Sequence, residues 1–192
     1  MKLSRKSQRG GWKLLGKSEI RFGGSGGQGV VFAALVLGRA AVLDGKNVLQ
    51  TQAYGAEARG SLTKSEVIIS DDKIGFPAVR RCDILVTMSQ EATNELLEDL
   101  RETGTLLVDS TSVREIPFTG AKVVQFPVTE IAKGIFGDGL YANMVMLGAL
   151  LQVHGLVATE SMEEAIRKST AEKNFETNLN AFRSGLKLKP IQ

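Results

Sequence analysis

The chain is poor in the residue types that most often build a reactive centre. In 192 residues it has one cysteine, Cys82, and one histidine, His154. A single cysteine excludes an internal disulfide and fits a reducing compartment. It equally excludes a four-cysteine iron–sulfur cluster or a structural zinc site built from this chain alone. Cys82 opens an apolar stretch and reads as a small buried residue. His154 ends an apolar helix pattern just before Gly155, where a helix C-cap is expected, and that position accounts for it without chemistry. The sequence also lacks an apolar run long enough to cross a bilayer, and its N-terminus lacks the apolar core of a secretory signal. A cytoplasmic protein is therefore expected.

Acidic residues are absent from the first 17 positions, which hold six basic ones: Lys2, Arg5, Lys6, Arg9, Lys13 and Lys17. Of 24 Lys and Arg in all, 18 then remain against all 21 acids, so the body of the chain is mildly acidic despite a net charge of +3. The excess belongs to a tail, residues 1–17, read as a disordered leader, and no nucleic-acid partner is expected. The rest, with 43% apolar and 23% charged residues overall, has an ordinary globular composition. Residues 18–192 are enough for one α/β domain.

What the chain has in quantity is glycine, 21 residues, and its most informative cluster is Gly23-Gly24-Ser25-Gly26-Gly27-Gln28-Gly29. It follows a short apolar strand pattern, Ser18–Phe22, and opens an apolar helix pattern, Gly29–Leu43. Strand, glycine turn and helix in that order gather backbone N–H groups and a helix N-terminus at one point, which suits a phosphate or another anion. Gly24-x-Gly26-x-x-Gly29 has the spacing of the dinucleotide fingerprint. Its second half fails: the ribose-binding acid belongs about 20 residues on, at the end of the second strand. Asp44 is at that count but falls at the end of the first helix, in Asp44-Gly45. A turn that only packs helix against sheet is the plainer alternative.

Further strands are expected at Lys46–Gln52, Leu62–Ser70, Asp83–Met88, Thr105–Asp109 and Lys122–Phe126. Helices are expected at Gln90–Arg101, Thr129–Phe136, Leu140–Val153, Met162–Ser169 and Glu172–Leu186. The alternation predicts a three-layer α/β/α fold with a mixed, mainly parallel sheet. It is mixed because only nine residues, Ala53 to Ser61, join the second and third strands. A parallel crossover needs about a dozen or more, so this pair is predicted antiparallel. The helices at 30–43 and 140–153 are apolar nearly all round and are expected to meet a second neighbour, such as a partner subunit, besides the sheet. Phe175, Leu179, Phe182 and Leu186 mark one face of the terminal helix. Ser161-x-x-Glu164 reads as a capping box opening the helix before it.

The connection Gln52–Ser61 holds Tyr54, Gly55, Glu57, Arg59 and Gly60: an aromatic, a carboxylate, a guanidinium and two glycines. Arg59 could fork onto a phosphate or carboxylate, or pair with Glu57 in solvent.

Gly24-Ser-Gly-Gly-Gln-Gly29 and Tyr54-Gly-Ala-Glu-Ala-Arg-Gly60 together resemble the gamma subunit of 2-oxoacid:ferredoxin oxidoreductases, the unit that forms domain III of single-chain pyruvate:ferredoxin oxidoreductase. Ile74-Gly-Phe-Pro77, Leu107-Val-Asp-Ser110, Asn143-Met-Val-Met-Leu-Gly148, Lys173-Asn-Phe-Glu176 and Ala181-Phe182 extend the resemblance over about 18–186. The resemblance implies a complex that converts a 2-oxoacid and coenzyme A to an acyl-CoA and CO2, with ferredoxin as electron acceptor. Thiamine diphosphate and iron–sulfur clusters would belong to alpha, beta and ferredoxin-like subunits of a heterotetramer, and this chain would hold no cofactor alone and supply no catalytic group. Gly24, Ser25, Gly26, Gly27, Gln28, Gly29 and Arg59 are then the expected cofactor-binding positions. Tyr54, Gly55, Glu57, Arg59, Gly60 and Asn143 are expected at a subunit or active-site loop. The family's loop commonly reads Ser-Tyr-Gly-Pro-Glu-x-Arg-Gly-Gly; Ala53, Ala56 and Ser61 replace its Ser, Pro and final Gly. As substrate, 2-oxoglutarate is placed ahead of pyruvate or a branched-chain 2-oxoacid. A stand-alone nucleotide-binding oxidoreductase and a small-molecule-binding regulatory module are the rival readings.

Overall fold

The computed structural model describes residues 16–54 and 61–191. Six strands form one sheet: β1 (Lys17–Ser25), β2 (Asn47–Tyr54), β3 (Leu62–Ser70), β4 (Cys82–Thr87), β5 (Leu100–Asp109) and β6 (Lys122–Phe126), in the order β2-β3-β1-β4-β5-β6. β1, β4, β5 and β6 are parallel, and β3 runs antiparallel to both β1 and β2. The short connection after Tyr54 thus closes an antiparallel pair, as its length requires.

The helices are α1 (Val30–Leu43), α2 (Gln90–Leu96), α3 (Val128–Phe136), α4 (Ala142–His154), α5 (Thr159–Ser169) and α6 (Glu172–Gly185). Five of them share one face of the sheet. There α1, α3, α4, α5 and α6 close over the larger core, centred on Phe22, Leu37, Phe126, Met144 and Phe182. The opposite layer is thin. It consists of α2 and the irregular segments around Val79 and Val113, packed on Leu85 and Leu106. Cys82 opens β4, fully buried in that second core.

The all-round apolar character of α4 is satisfied inside the chain. Its second neighbour is α6, and the two helices cross where glycines let the backbones touch. A Cβ on Gly148 would collide with the Phe182 carbonyl, and one on Gly185 with the Val145 carbonyl. Phe175, Leu179 and Phe182 are the buried stripe of α6. α1 likewise finds a second neighbour in α5, but Val42 and Leu43 at its end stay exposed.

Three local expectations are corrected. β1 continues through Gly23 and Gly24 to Ser25, because it is an inner strand with a partner on each side: Gly24 pairs with Thr63 of β3, and Gly23 with Thr87 of β4. The helix expected over 90–101 ends at Leu96, passes through one 3-10 turn (Leu97–Asp99) and yields to β5 at Leu100. Arg101 explains the change, since its guanidinium reaches Asp83 of β4 and Glu19 of β1 and ties this stretch to the sheet. The helix expected from Met162 begins at Thr159 with no side-chain cap of its own. Ser161 Oγ donates instead to Asp44 Oδ1, and the Ala158 N–H donates to Asp44 Oδ2 at 2.7 Å.

Candidate functional site

The glycine loop leaves the carboxyl end of β1 beside those of β4 and β5, where open α/β sheets bind ligands. Each glycine has a separate reason. Gly23 lies under α2, and a Cβ there would collide with Leu96 Cδ1. A Cβ on Gly24 would sit 2.7 Å from Gln28 Oε1 and 2.8 Å from Val30 Cγ1. Gly29 is the N-cap of α1 at φ 72°, and its missing Cβ makes room for the Asn143 amide. Gly27, at φ 99°, has nothing within 4 Å of where its Cβ would be. The first three are packing glycines. Of these four, Gly27 faces open space.

Hydrogen bonds hold the loop in shape. Gln28 Oε1 accepts from the Ser25 N–H at 2.7 Å, and its Nε2 donates to the Met88 carbonyl at 2.6 Å. The Gln28 side chain therefore braces the loop between β1 and β4. The Gly26 N–H donates to the Ser61 carbonyl at 3.1 Å, tying the loop to the start of β3. Asn143, 6% exposed, donates through Nδ2 to the Gly29 carbonyl at 3.2 Å. What remains for a ligand is main chain. The N–H groups of Gly27 and Gly29 have no acceptor among the described residues, and the first helical bond of α1 is from Ala33 to Gly29. The donors of Val30, Val31 and Phe32 precede it, the usual orphans of a helix start. The first turn of α1 carries neither a side-chain cap nor an acid.

Two cavities flank this point. The larger, about 870 Å3, runs between α1 and β2, past Gly27, Phe32, Gln52 and Tyr54. The smaller, about 290 Å3, lies toward α3 and is more polar, with Gln28, Ser112, Thr129, Lys133 and Asp138. Lys133 makes no ion pair among the described residues. Its stem lies over Gly139, where a Cβ would be 3.3 Å from Lys133 Cε. Buried Asp109, ending β5, accepts from Ser112 Oγ at 2.9 Å and Thr129 Oγ1 at 2.6 Å, fixing the wall of this cavity. Sequence reading missed Ser112, Thr129 and Lys133. Thr129 and Lys133, four residues apart, share one helix face, and that face first acquires meaning when β6 delivers α3 next to the glycine loop.

The other expected site residues lie as follows. Gly55, Glu57, Arg59 and Gly60 fall outside the described residues, while Tyr54, 63% exposed, and Ser61 line the larger cavity. Asp44, the acid at the fingerprint's spacing, holds the start of α5. Cys82 and His154 stand apart from both cavities. Burial pushes the Cys82 thiol up to about 12. Burial and then the charge of Lys122 push His154 below its ordinary 6.5, and its Nε2 is buried without a partner among the described residues. Among the described residues no three His, Cys, Asp or Glu converge as metal ligands, and no helix is long and apolar enough to cross a membrane.

Known proteins resemble the chain along most of its length. The family model for pyruvate ferredoxin/flavodoxin oxidoreductase matches residues 19–188. The 2-oxoglutarate synthase subunit KorC of Methanocaldococcus jannaschii is 45% identical over 172 residues, covering 88% of this chain and 92% of that one. The ketoisovalerate oxidoreductase subunit VorA of Methanothermobacter thermautotrophicus is 36% identical, over 86% of this chain but only 35% of its own length. The crystal structure of the keto/oxoacid ferredoxin oxidoreductase gamma subunit from Geobacter sulfurreducens superposes with a TM-score of 0.78 at 41% identity, covering 88% of this chain and 95% of that one. The chain belongs to the pyruvate ferredoxin/flavodoxin oxidoreductase family.

Proposed function

We propose that this chain is the gamma subunit of a cytoplasmic heterotetrameric 2-oxoacid:ferredoxin oxidoreductase acting on 2-oxoglutarate. The observation that carries this reading is the 45% identity to a 2-oxoglutarate synthase subunit over nearly all of both chains. The complex takes the 2-oxoacid and coenzyme A to acyl-CoA and CO2 and passes the electrons to ferredoxin. Thiamine diphosphate, held by the beta subunit, supplies the electron sink for decarboxylation; the iron–sulfur clusters belong to the ferredoxin-like subunit.

This chain's own part is to bind and orient. A diphosphate of coenzyme A fits the Gly27 and Gly29 N–H groups and the uncapped start of α1. Backbone donors and the helix dipole favour an anion there, and no carboxylate in the first turn opposes it. Asn143 and Gln28 hold the loop in shape, so they are positioning residues. The 54–61 segment faces a partner subunit, with Tyr54 and Arg59 as its anchors. The test is co-expression with the other subunits and assay of coenzyme A-dependent dye or ferredoxin reduction. Turnover is expected with 2-oxoglutarate ahead of pyruvate and branched-chain 2-oxoacids, and none from the isolated chain. Faster turnover of pyruvate would replace the substrate, and turnover by the isolated chain would overturn the subunit reading.

A further inference from the structure

The cavity beside the glycine loop does not end there. A second one of about 520 Å3, farther along α1, shares Leu35 and Gln50 with it, so the two make one groove between α1 and β2, bounded at its far end by Ala165 and Lys168 of α5. It runs from the glycine loop to Val42 and Leu43. At 1.5 Å per residue, the 14 residues of α1 give it a length of about 21 Å. Val42, Leu43 and Tyr54 are 59%, 43% and 63% exposed. Among the described residues no carboxylate lines the groove, and two cations, Arg39 and Lys168, the latter paired with Glu164 of α5, stand at its far end.

β2 is the edge of the sheet on this side. It pairs with β3 over eight residues without a register shift, and Asn47–Tyr54 contains no charge and no proline. The devices that usually protect an edge, such as Lys, Pro or a bulge, are missing. The opposite edge differs, because the Ile191 N–H donates to the Gln125 carbonyl of β6. α4 finds its second neighbour in α6 and α1 finds one in α5, yet Val42 and Leu43 at the end of α1 stay exposed.

The occupant is indicated by the relatives. In VorA this fold makes up only 35% of the chain, so the same unit is there joined covalently to the rest of the protein. Resting on the subunit reading above, we propose that the groove seats an apolar helix of the separate subunit that supplies that remainder. The helix would lie alongside α1 and over the open edge of β2. A helix fits because the walls are side chains of a helix flank and of one sheet face, in the layer where packed helices stand about 8–10 Å apart. Its residues nearest Arg39 and Lys168 are acidic.

The experiment uses the co-expressed complex and exploits the inert, buried Cys82. A Val42→Cys variant carries one reactive thiol, at the far end of the groove where the flank is exposed. Its maleimide labelling rate is compared in the free chain and in the assembled complex, with Glu95→Cys on the other layer as reference. Relative to that reference, labelling at position 42 is expected to slow at least tenfold on assembly. Arg39→Glu is expected to weaken association with the other subunits about tenfold. Equal labelling rates in an intact complex would overturn the assignment while leaving the subunit reading in place. Protection already present in the free chain would also overturn it. If that protection grows with concentration, the occupant is a second copy; if it vanishes on deleting residues 1–15, the occupant is the chain's own N-terminus. Failure of the chain to associate with any of the other subunits would remove the subunit reading and this assignment together.

Discussion

Replacing Gly29 by alanine separates the two demands placed on the helix start. At φ 72° a residue with a Cβ costs about 1–2 kcal/mol in the left-handed region. The new methyl would also collide with Asn143 Nδ2 and come within 3.1 Å of its Cγ. Asn143 must then withdraw from the Gly29 carbonyl, leaving buried polar groups without a partner at about 1–3 kcal/mol. The whole is about 3 kcal/mol, or roughly 6–12 °C in Tm for a chain of this size. Gly27→Ala is the control. It has φ 99° but nothing within 4 Å of its Cβ position, so only the backbone cost of about 1–2 kcal/mol applies. Urea unfolding of the isolated chain, followed by circular dichroism, measures both. In an Asn143→Ala background Gly29→Ala should lose the clash and cost only the backbone share, a coupling of about 1 kcal/mol or more. Equal losses at the two glycines, or additivity with Asn143→Ala, would refute the account of why glycine stands at position 29.

Other variants test the frame. Arg21, 3% exposed, joins Glu66 of β3, Asp99 and the Val79 carbonyl. Arg21→Met should cost about 3–5 kcal/mol in denaturant titration, because it strands carboxylates in a largely buried setting; a loss under 1 kcal/mol would contradict this. Cys82, pushed up to about 12 by burial, should resist thiol reagents at pH 8 until the chain unfolds, so prompt labelling of the native chain would show that the second core is open. His154 has a folded pKa depressed by burial below its ordinary 6.5, so the unfolded chain takes up its proton first. Its contribution is present above pH 6.5 and is lost as pH falls from there through the folded pKa. Stability measured from pH 7 to pH 5 should therefore fall less steeply in His154→Gln than in the parent; identical slopes would exclude His154 as a cause.

How far the sequence could be read depended on the range of the interactions. The antiparallel β2–β3 pair followed from a chain-length argument, and the buried stripe of α6 from spacing alone. Gly24-x-Gly26-x-x-Gly29 located the turn but not its purposes. Gly23, Gly24 and Gly29 answer to Leu96, to Gln28 with Val30, and to Asn143, and the first and last of these partners arrive from distant helices. Asp44 illustrates the same limit. Its partners Ala158 and Ser161 lie 114 and 117 residues away, so its role as the anchor of α5 could not be inferred locally, and Ser161-x-x-Glu164 looked like a cap for want of that knowledge. The segment at 97–101 has helix-forming residues, yet Arg101 draws it into the sheet through ion pairs with β1 and β4. Tertiary contacts overrode local propensity there.

The central claim, a main-chain anion site serving coenzyme A in an assembled oxidoreductase, is tested most directly by steady-state kinetics of the complex carrying Gly27→Val. The substitution puts a branched side chain at a loop glycine that faces open space and leaves Gln28, Asn143 and the partner subunits unaltered. In a variant that still co-purifies with those subunits, KM for coenzyme A should rise about tenfold or more. KM for 2-oxoglutarate should stay near the parent value. Parent kinetics for coenzyme A in a folded, assembled variant would contradict the account and leave the glycine loop as packing alone.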